Sequence, residues 1–403
     1  MPTLVQKYGG TSVDGPDRIR AVAARVKAAR TAGHDTVVVV SAMGQSTDDL
    51  LRLALQVSQQ PPRRELDMLL TAGERVSMSL LAMALNDLGV ESISFTGSQS
   101  GILTDGTHGA ARIVAVKPER IREALAKGMV VIVAGFQGVN PETKEITTLG
   151  RGGSDTTAVA LAATLGRAPC EIYTDVPGIL TADPRVVPAA RVIPSLSYRV
   201  CSTLAHLGGR VLHARCVDLA ARERVPLTVR SSLDDSPGSR VVDEEESVEG
   251  ARVTAVTHMS DRSIAVAEGT SGGRGEARGI IESAADAFPE LELVAHEETG
   301  NSHGALVWVG SHADVTALEK DFRRLRGPGG EWKVTSHHGA AFVSVVGLGL
   351  GAAEVSRAEQ ALEKAGIPLV ALRTTPTALI FRLAEGHAEP AVRALHAAFI
   401  EGR

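Results

Sequence analysis

Cysteine is scarce. There are three in 403 residues (Cys170, Cys201 and Cys216), with neither paired nor metal-ligand spacing. This excludes a disulfide scaffold and fits a reducing cytoplasm. Cys201, His213 and Cys216 lie close in sequence, and a buried helix face accounts for them better than a metal site. No run of eighteen apolar residues occurs, so no membrane span is expected. An excess of one charge is missing as well. The 42 basic and 47 acidic residues leave a net charge of −5, which gives no reason to expect nucleic acid or an anionic membrane as partner. The chain enters Leu4-Val5-Gln6-Lys7-Tyr8 without a signal-peptide pattern. Its glycine-rich stretches lack the Gly-Lys-Ser/Thr ending of a P-loop. Arginine outnumbers lysine and alanine is abundant, which reads as genome composition.

What is present is ample for real hydrophobic cores. Hydrophobic residues make up 44% of the chain, and the length predicts two or three domains. The centre is Thr147-Thr148-Leu149-Gly150-Arg151-Gly152-Gly153-Ser154-Asp155-Thr156-Thr157. Glycines there lead into a helix whose first turn carries Asp155 and threonines. A glycine-rich helix entry lets backbone N–H groups close on an anion. Arg151 brings a planar fork for carboxylate or phosphate, and Asp155 a carboxylate for a metal or for orienting a phosphoryl group. A tight turn with a surface arginine is the plain alternative. A second glycine site, Gly9-Gly10 after the strand holding Lys7, raises the functional reading.

Strands are predicted at 4–8, 36–40, 92–97, 113–116, 129–134, 171–174 and 227–230. Helices are predicted at 17–32, 47–57, 64–88, 118–127 and 197–225, the last interrupted near Gly208-Gly209. Hydroxyls and glycines cluster at strand ends (Ser41-Ala42-Met43-Gly44 before Thr47, and Gly135 to Gly138), the edge where open α/β sheets bind ligands. Glu74 sits among apolar and small residues, so it either pairs with a neighbouring arginine or faces a ligand. The alternation predicts a mostly parallel sheet sandwiched by helices. After the acidic run Asp243 to Glu246, two stretches repeat the order βαββα. Strands are expected at 251–258, 263–267, 291–296, 305–309, 341–346, 368–373 and 378–383, and helices at 276–287, 313–325, 354–364 and 390–400. Arg326-Gly327-Pro328-Gly329-Gly330 reads as a linker between them. The expected domains are 1–242, 248–330 and 331–403.

Six motifs stand in a telling order. They are Lys7-Tyr8-Gly9-Gly10-Thr11-Ser12, Ser41 to Gly44, Phe95-Thr96-Gly97, Gly150 to Asp155, Tyr173-Thr174-Asp175-Val176-Pro177-Gly178 and Thr181-Ala182-Asp183-Pro184-Arg185. In this order the first 235 or so residues resemble the aspartate kinases. The resemblance implies the amino acid kinase fold and transfer of the γ-phosphoryl of MgATP to the β-carboxylate of L-aspartate, the first step of the aspartate-family amino acid pathway. It implies that Lys7 and Asp155 are catalytic, with Lys7 neutralising charge on the transferring group and Asp155 orienting it. Ser41, Thr47, Glu74, Arg151 and Ser154 would bind substrate, with Arg151 on the α-carboxylate and Glu74 on the α-ammonium. Gly9, Gly10, Thr174, Asp175, Leu180, Asp183, Arg185 and Arg210 would face the nucleotide. Leu180 and Arg210 depart from the family's usual Tyr and Lys, and Arg199 and Val200 replace common acidic residues. Two rivals stand beside this reading: a kinase for another acid, against which the ammonium partner Glu74 argues, and a catalytically inactive regulatory partner.

The same resemblance makes the two small repeats ACT-like domains, which would join the chain into a homodimer or higher homo-oligomer and bind lysine or threonine. There the pattern weakens. Gly272-Gly273-Arg274-Gly275 stands for the usual Asp-x-Pro-Gly, His296-Glu297 for Gln-Asn, His303-Gly304-Ala305 for Thr-x-Asp and Thr375-Pro376 for Ser-Glu. The segment Gly347 to Ala353 lacks the Pro-Gly turn. Weak or absent lysine/threonine inhibition is therefore expected, and a different effector is the rival. Met259 falls inside a strand, so a short regulatory chain started there is not expected.

Overall fold

The computed structural model describes residues 1–209, 211–243, 253–270, 274–288, 291–299, 303–325 and 331–402. Backbone contacts divide it into two units: Met1–Thr181 with Ala190–Ala251, and Ala182–Ala189 with Arg252–Arg403.

The first unit begins β1 (Thr3–Tyr8), α1 (Pro16–Thr31), β2 (Asp35–Val40), α2 (Ser46–Val57), α3 (Arg63–Leu70), α4 (Ala72–Asp87) and β3 (Ser92–Phe95). It continues β4 (Ile102–Thr104), β5 (Ile113–Val116), α5 (Glu119–Ala126), β6 (Val130–Ala134), β7 (Gln137–Val139), β8 (Ile146–Thr148) and α6 (Gly153–Thr164). It ends β9 (Cys170–Thr174), β10 (Ser195–Ser197), α7 (Tyr198–His206), α8 (Ala214–Glu223), β11 (Leu227–Ser231) and β12 (Ser239–Val242). The main sheet runs β10-β12-β11-β9-β1-β2-β6-β3. β11, β9, β1, β2, β6 and β3 are parallel, while β12 lies antiparallel to β11. β2 and β6 are buried along nearly their whole length, as valine-rich strands covered on both faces must be.

Parallel register aligns the strand ends. Tyr8 pairs with Val40 and with Tyr173, and Val40 with Ala134. The loops that follow these strands therefore emerge along one edge.

Two sequence expectations are corrected in this unit. The helix expected at 64–88 is two helices meeting at Thr71. The 113–116 strand belongs to a separate four-stranded sheet, β5-β4-β7-β8, whose three-residue members are too short to show a period. Beyond β11, two short strands that the sequence reading did not foresee, β12 and β10, extend the main sheet. Taken as one span, Arg63–Asp87 is also long and apolar enough to cross a bilayer by length and composition alone. Here it buries Asp67, Glu74, Leu81 and Leu85 within the unit instead.

The second unit holds β13 (Val253–Thr270), α9 (Arg274–Ala287), β14 (Glu292–Thr299), β15 (His303–Gly310), α10 (His312–Leu325), β16 (Glu331–Gly347), α11 (Ala352–Lys364), β17 (Leu369–Thr375), β18 (Ala378–Ala384) and α12 (Ala388–His396). Its sheet is β14-β15-β13-β16-β18-β17, with every ladder antiparallel. The strands expected at 251–258 and 263–267 are one strand, broken in register between Met259 and Ile264. Residues 253–259 pair beside the half of β16 that meets β18, and residues 264–270 beside its other half. The β16 segment 331–340 was unread in the sequence. Trp332 is buried while Glu331 and Lys333 are exposed, an alternation that a largely polar outer face conceals. The linker at 326–330, most of the acidic run and Gly272-Gly273 lie outside the described residues.

Candidate active site

Lys7 and Asp155 meet. Lys7 is the penultimate residue of β1 and Asp155 lies in the first turn of α6. Lys7 Nζ stands 2.6 Å from Asp155 Oδ1, with both side chains 11% exposed. A nearly buried ion pair loses most of its Coulomb gain to desolvation, so stability gives little reason to place one there. The Lys7 ammonium also leans over the turn that follows, 3.6 Å from where a Cβ on Gly9 would stand.

That turn is built by close approach. The Gly9 N–H donates to the Tyr173 carbonyl and the Gly44 N–H to the Gly10 carbonyl. The Gly9 N–H is thus engaged within the fold. A Cβ on Gly10 would stand 2.9 Å from the Ala42 carbonyl oxygen and 3.1 Å from that of Gly44. Gly10→Ala must push main chain aside, and such overpacking costs about 1–3 kcal/mol. We expect a lower melting temperature and lower kcat/KM, read by calorimetry and steady-state kinetics. Wild-type values for both would show slack in the turn.

Ala42 links this turn to Glu74. The Ala42 N–H donates to Glu74 Oε1 at 3.2 Å. Glu74 is 3% exposed, its Oε2 has no hydrogen-bond partner, and it makes no ion pair among the described residues. Of the two sequence alternatives, the arginine pairing is not formed. Burial pushes the Glu74 carboxyl up to about 7, against the lowering effect of main-chain N–H donors. A buried carboxylate with one empty oxygen fits a cation from outside the chain.

The remaining candidates are placed as follows. Ser154 is buried against the β6 end, 2.7 Å from where a Cβ on Gly135 would lie. Ser41 and Thr47 are half-buried in the segment after β2. Arg151 is exposed and makes no ion pair among the described residues. Thr174 ends β9, and its hydroxyl donates to exposed Asp175. Leu180 forms a lone β-bridge with Val192. Asp183 and Arg185 belong to the short segment grouped with the second unit, where they close on each other. Arg185 Nε donates to Asp183 Oδ1 at 3.0 Å and Nη2 to Oδ2 at 2.6 Å. The Arg185 guanidinium holds the Asp183 carboxyl below its usual range. Arg210 lies outside the described residues.

Sequence reading missed the frame around these groups. Asp67, 1% exposed, accepts from the Gly109 N–H and the Thr148 hydroxyl and bonds His108 Nδ1 at 2.6 Å. A carboxylate inside the helix motif Glu65-Leu66-Asp67-Met68-Leu69 was a readable signal. Glu171 accepts from Gln6, Tyr173 and Arg230, which no local pattern announces. All three cysteines are free and buried, and burial pushes their thiols up. They are therefore poor nucleophiles.

The amino acid kinase family profile matches residues 2–231. An aspartokinase of Mycolicibacterium smegmatis is 44% identical to this chain over 413 aligned residues, covering 99% of this chain and 96% of that one. The chain belongs to the amino acid kinase family, among the aspartokinases. A second aspartokinase, from Corynebacterium glutamicum, is 44% identical with the same coverage. The structure of E. coli aspartokinase III in complex with aspartate and ADP matches the fold with a TM-score of 0.82 at 24% identity, over 98% of this chain and 99% of that one. Lys7 and Glu74 place a cation and a carboxylate near the ends of neighbouring strands of this sheet.

Proposed function

We propose that the chain phosphorylates the β-carboxylate of L-aspartate with ATP, giving 4-phospho-L-aspartate and ADP. The observation that carries this is the pairing of two unlike buried sites at one sheet edge, the Lys7–Asp155 ion pair and the half-satisfied Glu74 carboxylate. A carboxylate oxygen attacks the γ-phosphorus, the bond from that phosphorus to the β–γ bridging oxygen breaks, and ADP leaves with its electron pair. The acceptor is already an anion at neutral pH, so no general base is needed. What the reaction requires is relief of the repulsion between two anions. Lys7 supplies a positive charge at that point, and Asp155 keeps its ammonium in place. Glu74 receives the substrate ammonium and Arg151 its α-carboxylate. Ser41, Thr47 and Ser154 add hydroxyl donors, and the Gly9-Gly10 turn would face the phosphates. Thr174, Asp175 and Leu180 would flank the nucleotide.

Magnesium, when bound with ATP, would neutralise phosphate charge. Among the described residues no group of three or more His, Cys, Asp or Glu forms a metal set. That suits an ion held mainly by phosphate and water with one or two carboxylates. Asp155 is the carboxylate best placed to assist.

The test is ADP release by purified protein with MgATP and L-aspartate, with the acyl phosphate trapped as its hydroxamate. Aspartate-dependent hydroxamate is expected. ATP binding without turnover would make the chain an inactive partner, and turnover on another acid alone would move the substrate assignment.

We read 1–242 as the catalytic domain and 248–330 and 331–403 as two ACT-like repeats that join chains into a homodimer or higher homo-oligomer. The pairing of β13 and β16 supports two repeats that share their long strands. The altered loops argue for weak or absent control by lysine and threonine. Turnover should be unmoved by both amino acids at millimolar concentration. Saturable inhibition by them would sink that reading.

A further inference from the structure

Arg215, the second residue of α8, reaches back to the loop that carries Arg151. Its Nη1 donates to the Leu149 carbonyl at 2.8 Å and its Nη2 to the Ala111 carbonyl at 3.0 Å. These carbonyls lie on two loops already joined where the Ala111 N–H donates to the Thr148 carbonyl. Leu149 directly precedes Gly150-Arg151-Gly152. Just before Arg215, His213 packs on Gly152 so closely that a Cβ there would stand 2.2 Å from the His213 Cβ. Gly152 is left-handed, with φ 68°, and it caps α6, two residues before Ser154.

Arg215 is half-buried and makes no ion pair among the described residues. Burial, then the nearby Arg112, lowers its proton affinity, while Asp105 opposes them. Burying a guanidinium on two neutral carbonyls is a costly way to gain stability. It is a good way to set geometry, because the planar fork engages two acceptors in fixed directions.

We infer that Arg215 is a positioning residue for substrate recognition, which holds the Leu149 carbonyl so that the Gly150–Gly152 turn presents Arg151 in one place. The inference rests on the reading of Arg151 as the clamp on the aspartate α-carboxylate. Its direct consequence, a pinned loop, does not depend on the substrate.

The experiment compares the full chain with Arg215→Met and Arg215→Lys by hydrogen exchange and by kinetics. In Arg215→Met, amides of 149–153 and 109–112 should exchange at least about tenfold faster, since each tenfold reports about 1.4 kcal/mol of lost local closure. Amides of β1, β2 and β6 should not change. The KM for aspartate should rise on the order of 10- to 100-fold, with the KM for ATP within about threefold, because an ångström of misplacement can cost about 100-fold. Arg215→Lys should loosen the loop less, as an ammonium has charge but no fork, and it decides the matter if the Met variant fails to fold. Unchanged exchange at 149–153 in both variants would overturn the inference whatever the substrate, as would equal rises in both KM values. If the native chain does not turn over aspartate, the proposed function fails, while the exchange data still decide whether Arg215 pins the loop.

Discussion

Lys7→Met is expected to lower aspartate-dependent turnover on the order of 10²–10³-fold, the size of effect seen when one preorganised charge donor is lost. The reason lies in what the reaction lacks. Two anions must approach and no proton needs to move, so a cation at the point of transfer has no substitute among bases. Methionine keeps most of the unbranched apolar stem of lysine and drops its ammonium, so packing of β1 changes little. It leaves Asp155, 11% exposed, as a buried carboxylate without its partner, which costs stability and adds repulsion toward phosphate. Asp155→Asn in the same background separates the two effects. If the orphaned charge is part of the harm, Lys7→Met/Asp155→Asn should melt higher than Lys7→Met while staying inactive. Near-wild-type turnover of Lys7→Met would remove Lys7 from the mechanism.

Glu74→Gln should damage binding and improve stability together. The carboxyl titrates at about 7 in the folded chain against an ordinary 4.5. The folded state therefore holds its proton over a window in which the unfolded chain releases it. Stability contributed by this group falls as pH rises from about 4.5 to 7 and is level above, where the buried charge costs about 3 kcal/mol at about 1.4 kcal/mol per unit. Glutamine keeps the bond from the Ala42 N–H and carries no charge. Its gain in melting temperature should appear at pH 8 and vanish near pH 4.5. Binding follows the opposite course. The substrate ammonium needs the ionised carboxylate, so the KM for aspartate in the wild type should fall as pH rises through 7 and flatten above. Glutamine should raise that KM at pH 8 by on the order of 10- to 100-fold, the 1.5–3 kcal/mol of a charge-assisted hydrogen bond, and erase its pH dependence. A wild-type KM constant from pH 6 to 8, or a glutamine variant that binds aspartate normally, would take Glu74 out of the site.

Part of this was legible in sequence for local reasons. β2 and β6 show as apolar runs followed by serine or glycine, β1 as a short strand leading into two glycines, and α1, α5 and α11 as periodic helices within a residue or two of their bounds. Lys7, Arg151 and Asp155 stand out because each sits beside glycines where a strand ends or a helix starts. Three-residue β4, β7 and β8 were unreadable, since strands that short carry no pattern. The polar first half of β16 was passed over, because one buried tryptophan in a hydrophilic run resembles a loop.

By itself the sequence determined the family, the mostly parallel character of the catalytic sheet and the kinds of group its chemistry requires, because each is written in neighbouring residues. Tertiary structure alone decided that Glu74 forms no arginine pair among the described residues, that the Gly9 N–H turns toward Tyr173, that Asp67 and Arg215 tie loops far apart in the chain, and how β13 and β16 divide between two halves of one sheet. Those outcomes depend on distances between segments separated by tens to more than a hundred residues. Burial and hydrogen bonding exist only once those segments have met, so a one-dimensional pattern holds no record of them.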